Sequence, residues 1–453
     1  MNKFPKVLII GECFNNRTGA GITMSNLFRG WDNEKLAVVT EYIDNADASL
    51  TDNYYVIGGE EKVRPWPFNY FRVTSQSGPL KLKQETKIKS AGNDEGKISA
   101  IVKLYLALNL LVGKVFSFFG FYHFIYRYSV SEKLLKFINE YKPDVIYSHL
   151  HYLEFMQFVQ QVHFKTKIPL VIHMMDDWLR EVEPNGLFKK YWQNKTENVF
   201  QEVASNASVR LSICDAMSED YKRRYGFDFI PFHNPVETET WMKHSKNEWL
   251  YEKPFTILYA GRIGIGTLNA VIDIADAVEK LNEEGLQIVF EIQTRTNNKK
   301  LSEAIAGYKS VKLVPTLDYE KLPEKFSSVD LLVLPMDFDN KSLKYIWLSM
   351  PTKVSEYLST GTPILVYAHP DTALARYAVD KKWADVVSEQ NQTKLTQSIK
   401  NIYSDENFRR KLGEQSKSLA QNFHDAKVVR EKFRQQLSFT LKDKIKEVPA
   451  TIQ

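Results

Sequence analysis

Short runs of consecutive apolar residues alternate along this chain with stretches in which apolar positions recur every three or four residues. Residues 7–10 are all apolar and end at Gly11; a polar turn follows, then an apolar-periodic segment over 22–31. Unbroken runs suit strands buried on both faces, and the longer period suits an amphipathic helix. The spacing therefore predicts strand, loop, helix. The same grammar recurs at 144–149, 169–173 and 209–213, each run preceded by a helical stretch, which predicts a parallel sheet covered by helices.

A second series begins at 255–260 and continues through 287–292, 311–314, 331–334 and 363–366, with helices expected at 268–284, 319–328, 352–360 and 371–379. Between the two series lies a polar connection over 234–254 without strand character. The expected organisation is an N-terminal domain over 1–240, a C-terminal domain over 241–425 and a charged, helix-forming segment over 426–453. The fold class is α/β: two doubly wound, Rossmann-like domains facing across a cleft at the carboxyl ends of their strands.

Two stretches break this pattern. Residues 81–97 hold Lys81, Lys83, Lys87, Lys89 and Lys97 among few apolar residues and read as a mobile loop. Residues 100–128 are dense in Leu, Phe and Tyr, but Lys103, Lys114 and Arg127 interrupt them, so no uncharged run approaches the ~20 residues of a spanning helix. Two readings fit: a buried helical pair, or a surface lying on an anionic membrane with its lysines at the headgroups.

The whole chain has 453 residues, 43% apolar and 25% charged, which suits two or three globular domains and excludes wholesale disorder. A net charge of +5 is too mild to demand a nucleic-acid partner. Two cysteines, Cys13 and Cys214, make no disulfide framework and fit a reducing cytosol. The apolar run at 7–10 is too short for a secretory signal.

Four segments carry candidate chemistry. Gly19 and Gly21 sit where the first helix should open, a place where a backbone can approach a ligand and free N–H groups can meet an anion. His233-Asn234-Pro235-Val236 leads out of the first series. Gly261-Arg262 follows the first strand of the second. Pro351-Thr352-Lys353-Val354-Ser355-Glu356 opens a helix that ends near Gly361. A guanidinium forks onto two phosphate oxygens, and a carboxylate accepts two hydrogen bonds from a diol. A fifth segment, Asp337-Phe338-Asp339, has the spacing of a divalent-metal motif, but it lies deep within the second series and reads as a polar strand-end loop, so no metal site is expected.

In order and spacing these segments resemble bacterial glycosyltransferases of the GT-B fold, in the retaining, nucleotide-sugar-dependent group 1. The resemblance runs over nearly the whole chain and is strongest over 210–390. It implies that Arg262 binds the donor diphosphate, that Glu356 holds the ribose hydroxyls, and that His149 reaches the transferred sugar. Asp176 falls where the family often has His-Asp, although Met175 precedes it here. Two departures stand out: Thr267 where a lysine is usual, and Leu348 where another glutamate is usual. Lys341, Lys344 or Lys353 would then supply the missing positive charge.

The expectation is a metal-independent transferase that needs no cofactor beyond its co-substrate, a UDP- or GDP-sugar. It acts on a glycan or lipid-linked acceptor in surface polysaccharide or glycoconjugate synthesis, in the cytoplasm or at the inner membrane face. Thr267 and Leu348 keep alive a non-catalytic scaffold of the same fold, and a sugar-nucleotide epimerase or hydrolase is the further alternative.

Overall fold

A computed structural model describes residues 4–43, 46–65, 75–82, 115, 118–181, 186–251, 253–296 and 298–446. Contacts divide the chain into two compact units. The first comprises 1–212, 218–230 and 432–453, and the second 213–217 and 231–431. The division thus falls ahead of residue 240.

In the first unit the strands are β1 (Val7–Ile10), β2 (Leu36–Thr40), β3 (Asn53–Val56), β4 (Lys62–Val63), β5 (Gly78–Lys81), β6 (Arg127–Tyr128), β7 (Val145–His149), β8 (Leu170–Met174), β9 (Val209–Ser212) and, at its border, β10 (Ile230–Pro231). Eight of them form one sheet in the order β10-β9-β8-β7-β1-β2-β3-β5, and β4 pairs with β6 outside it. Val7 pairs in parallel with both Leu36 and Val145, so the winding reverses direction at β1. β1, β2, β7 and β8 are buried along their whole length, which is why β1, β7 and β8 stand out as apolar runs; β2, equally buried, is not among the expected strands. β3 and β5 pair antiparallel at the edge and carry partly exposed residues, so the apolar pattern does not set them apart. Lys81, expected in a mobile loop, ends β5 and pairs with Asp52 at 2.9 Å.

The first helix spans Gly19–Phe28 rather than 22–31. The two glycines are its first turn: the Thr18 hydroxyl accepts from the Gly21 N–H (3.1 Å) and caps it. Gly30, at φ +81°, turns the chain beyond the helix.

The second unit contains β11 (Phe255–Ala260), β12 (Ile288–Gln293), β13 (Val311–Val314), β14 (Leu331–Pro335), β15 (Ile364–Tyr367) and β16 (Asp385–Val387). They form a wholly parallel sheet in the order β13-β12-β11-β14-β15-β16. Side chains alternate between two cores. Leu258 and Ala260 pack on one face with Tyr357 and Leu332, while Ile257 and Tyr259 pack on the other with Val271 and Ile274. The winding reverses between β11 and β14, so the loops leaving these two strands diverge at the place where doubly wound sheets take ligands.

The last helix, Ala426–Lys446, begins in the second unit and continues in the first, where Phe433 packs against Phe28 (5.1 Å) and Tyr147 (5.9 Å). Among the described residues no helix is long and apolar enough to cross a membrane, and the two cysteines are buried and not joined in a disulfide. Of the stretch 81–128, residues 83–114 and 116–117 lie outside the described residues.

Candidate active site

In the second unit three segments converge where β11 and β14 end. Gly261 extends β11 by donating to the Gln293 carbonyl (3.0 Å), and Arg262 then leaves the sheet, exposed and, among the described residues, without a carboxylate partner. The loop behind it is tightly tied. The Tyr259 hydroxyl donates to the Arg262 carbonyl (2.7 Å), Thr267 Oγ1 donates to the same carbonyl (3.2 Å), and Gly264 N donates to Thr267 Oγ1 (3.2 Å). Thr267, in the position of the family's lysine, therefore closes the loop instead of projecting a charge. Gly266 takes φ +91° with Ile346 so near that a Cβ there would meet its side chain, and this close approach sets the loop against the helix Asn340–Ile346.

That helix carries Lys341 and Lys344, both exposed and without an ion pair among the described residues. Its start explains the Asp-x-Asp pattern. Asp339 accepts from Lys341 N (3.1 Å) and Ser342 N (3.0 Å) and caps its own helix. Asp337, 2% exposed, accepts from Ala270 N (2.8 Å) and caps the helix Leu268–Glu283; burial raises its pKa above the usual carboxylate range. Both carboxylates thus already hold helix starts.

This capping also occupies N–H groups at the helix start. In the first turn of Leu268–Glu283, Leu268 N donates to the Gly264 carbonyl, Ala270 N to Asp337 and Val271 N to the Thr267 carbonyl. The exposed cations nearby without an ion pair among the described residues are Arg262, Lys341 and Lys344.

The third segment is the helix Lys353–Thr360. Val354, Tyr357 and Leu358 face the core, and the Tyr357 hydroxyl accepts from Ala260 N (3.0 Å), pinning the helix to the end of β11 beside Arg262. Glu356, in the first turn, is 3% exposed and accepts from Lys353 Nζ at 2.8 Å. Lys353 also lies over the Phe326 ring (5.4 Å). It serves as the counter-ion of Glu356, so the structure places Lys353 with the carboxylate and not among the free cations. Asn234 Nδ2 donates to the Thr352 carbonyl (3.3 Å), which ties the Asn-Pro-Val segment to the start of this helix. Leu348, in place of the family's other glutamate, is 1% exposed, and its carbonyl faces Cys214 Sγ (3.6 Å).

In the first unit His149 ends β7 and lies in register with His173 of β8. It is buried beside the His151 ring (4.5 Å), and among the described residues neither of its ring nitrogens has a partner. Burial holds its pKa well below the usual imidazole range, so it is neutral. His173 is spoken for: its Nδ1 meets the Tyr147 hydroxyl at 2.7 Å. Asp176 is exposed just beyond β8. Its neighbour Asp177, which the sequence does not single out, is buried and bonded to Tyr221 (2.9 Å), Arg180 (2.9 Å) and Arg224 (3.0 Å). Gly19 is exposed; Gly21 is buried against Asn15, whose side chain occupies the space a Cβ would need, so its smallness serves packing.

The sequence reading missed Tyr357, Tyr259, Gly264 and Gly266. The glycine pair between a strand and a helix was a legible sign. The tyrosines were not, because each looks like one more core position until its hydroxyl is seen on a backbone group.

Residues 242–419 match the family model described as Glycosyl transferases group 1. A comparison with curated protein sequences finds no match. Similar solved structures include sucrose-phosphate synthase from Thermosynechococcus elongatus, at 13% identity and TM-score 0.62 over 97% of this chain and 100% of that one. HepE from Anabaena, in complex with UDP and glucose, is similar at 11% identity and TM-score 0.58 over 96% and 99% of the two chains. WaaG, a glycosyltransferase involved in lipopolysaccharide biosynthesis, is similar at 11% and 0.56 over 94% and 98%. At such identities the likeness establishes the fold. The chain accordingly has the GT-B fold of these structures, and its residues 242–419 are similar to the glycosyl transferases group 1 family.

Proposed function

We propose that the second unit binds a UDP- or GDP-sugar and that the protein transfers the sugar, with retention, to a glycan or lipid-linked acceptor held by the first unit. The observation that carries this reading is the pairing at the end of β11: an Arg262 guanidinium with no carboxylate partner among the described residues, beside a helix that holds a buried carboxylate, Glu356, with Tyr357 fixing the two segments together. A departing nucleoside diphosphate gains negative charge, and Arg262 with Lys344 and Lys341 stabilises it without a metal ion. Glu356 accepts the ribose hydroxyls. His149, neutral and unpartnered among the described residues, is the proposed contact to the transferred sugar, and Asp176 a second polar group from the same unit. HepE in complex with UDP and glucose supports a uridine donor; WaaG, involved in lipopolysaccharide biosynthesis, supports a surface-glycan acceptor.

The test is nucleotide release across a panel of UDP- and GDP-sugars, with and without acceptor, alongside thermal shift. A donor at 100 times its Kd adds about 2.7 kcal/mol of stability. Acceptor-dependent release supports transfer. Binding without release identifies a non-catalytic scaffold, and release without acceptor identifies a hydrolase.

Because Asp337 and Asp339 cap helices, transfer is expected to survive excess EDTA, while Asp337→Ala lowers stability by about 1–2 kcal/mol through the lost cap. Transfer abolished by EDTA, and restored by Mn²⁺ in wild type but not in Asp337→Asn/Asp339→Asn, would make these residues metal ligands instead.

A further inference from the structure

The first unit contains a cavity of about 400 Å³ that the transfer site does not use. It lies between the segment 123–127, the helix Leu153–Thr166 and the helix Lys189–Asn206. Arg127 and Lys195 line it, and among the described residues neither has a carboxylate partner; Lys195 instead lies over the Trp192 ring at 5.0 Å. Gln157, Gln160 and Gln161 supply carboxamides, and the buried Gln160 Nε2 has no hydrogen-bond partner among the described residues. The nearby acid, Glu154, is already engaged by His123 Nδ1 at 2.5 Å. Gln161 Nε2 is spent on the Tyr128 carbonyl (3.5 Å), but two cations without a carboxylate partner among the described residues and the unspent Gln160 amide in a concave polar site describe a receptor for phosphate oxygens.

Beside this cavity the surface is apolar. Phe118, Phe121, Phe124, Leu187, Phe188 and Tyr191 are each more than 40% exposed. They form neighbouring segments: Leu187 N donates to the Phe118 carbonyl (2.7 Å), and Trp192 packs against both Phe124 (5.0 Å) and Tyr191 (5.0 Å). Phe124 belongs to both features, since it also lines the cavity. Clustered exposed aromatics are costly in water and characteristic of surfaces that sit at a membrane interface, and lysines such as Lys190 add attraction to anionic headgroups.

We infer that this cavity and its aromatic rim dock the protein on an anionic bilayer, the cavity holding the phosphate of a lipid headgroup while the rim enters the acyl boundary. The inference rests on the membrane-facing part of the proposed function, gives it a site, and does not depend on the transfer chemistry. It narrows the membrane surface expected over 81–128 to 118–127 and adds 187–195.

The experiment is sedimentation of the full chain with vesicles of phosphatidylcholine alone, or with one quarter phosphatidylglycerol, at low and high salt. Wild type is expected to bind the anionic vesicles, more weakly at high salt. Arg127→Ala/Lys195→Ala is expected to bind about 30-fold more weakly, two losses of roughly fivefold each. Phe124→Ser/Phe188→Ser should weaken binding and leave less salt-independent attachment. Lys299→Ala/Lys300→Ala, which removes the same charge from the other unit, should match wild type. Circular dichroism and the unfolding midpoint confirm that each variant is folded. Equal binding by the Arg127/Lys195 variant and the Lys299/Lys300 variant overturns the site, as does absence of wild-type binding at low salt. Stabilisation by inorganic phosphate that vesicles cannot compete away overturns the lipid and leaves a soluble anion as the occupant. Vesicle binding without sugar transfer would sink the proposed function alone, and transfer without vesicle binding would sink only this inference.

Discussion

Arg262→Ala is expected to slow donor-dependent turnover by roughly 10- to 150-fold, the equivalent of one charge-assisted contact of about 1.5–3 kcal/mol, while leaving the unfolding midpoint close to that of wild type. The side chain is exposed and unpaired among the described residues, so its removal leaves no buried group uncompensated. Glu356→Gln should reduce turnover on the same scale through a different route. The amide keeps the volume but replaces one of the two acceptor oxygens with a donor and removes the charge, and Lys353 loses its counter-charge. Lys353→Ala separates the roles. If Lys353 serves Glu356, this change strands a carboxylate that is 3% exposed, and stability falls together with activity. If Lys353 touched phosphate directly, activity would fall alone. Near-normal turnover in both Arg262→Ala and Glu356→Gln would remove the donor site from this position.

The second large effect is on stability in mild acid. His149 and His173 in the first unit and His424 in the second are buried, and burial holds each below the usual imidazole range, His173 down to about 3. In the unfolded chain each ring takes up a proton near pH 6.5, while the folded ring refuses it. Below that pH the unfolded state therefore binds more protons, and stability falls as pH falls, by up to about 1.4 kcal/mol per pH unit for each ring. Between pH 7.5 and 5.5 the first unit should lose about 3 kcal/mol and the second about half as much. Urea titrations at the two values, read for each transition, measure this. A first unit equally stable at both would mean that His149 and His173 are protonated or reached by solvent in the folded protein. His173→Gln should flatten the dependence by about one histidine's share.

The fold was legible in the sequence because its strands are buried on both sides. Runs such as 255–260 and 331–334 have no polar alternation, and in a soluble chain that condition arises inside a parallel sheet with helices on both faces. Edge elements escaped for the converse reason. β3, β5 and β16 are short and partly exposed, so their composition matches that of loops.

The candidate site was half legible. Arg262 and Glu356 stand at a strand end and a helix start, positions that the local pattern marks, and their residue types state what they can bind. What tertiary structure alone decided was partnership. Lys341, Lys344 and Lys353 look alike along the chain, yet Lys353 is claimed by Glu356 three residues on, while the other two project from a neighbouring helix into solvent. Asp337 and Asp339 look like a metal motif, yet each meets backbone N–H groups, one of them on a helix 67 residues away in sequence. Spacing along a chain records which groups are near in sequence. Hydrogen-bond valence is filled by whatever folding brings near in space, so a residue's type was written in the sequence and its remaining capacity to bind a ligand was set by the fold.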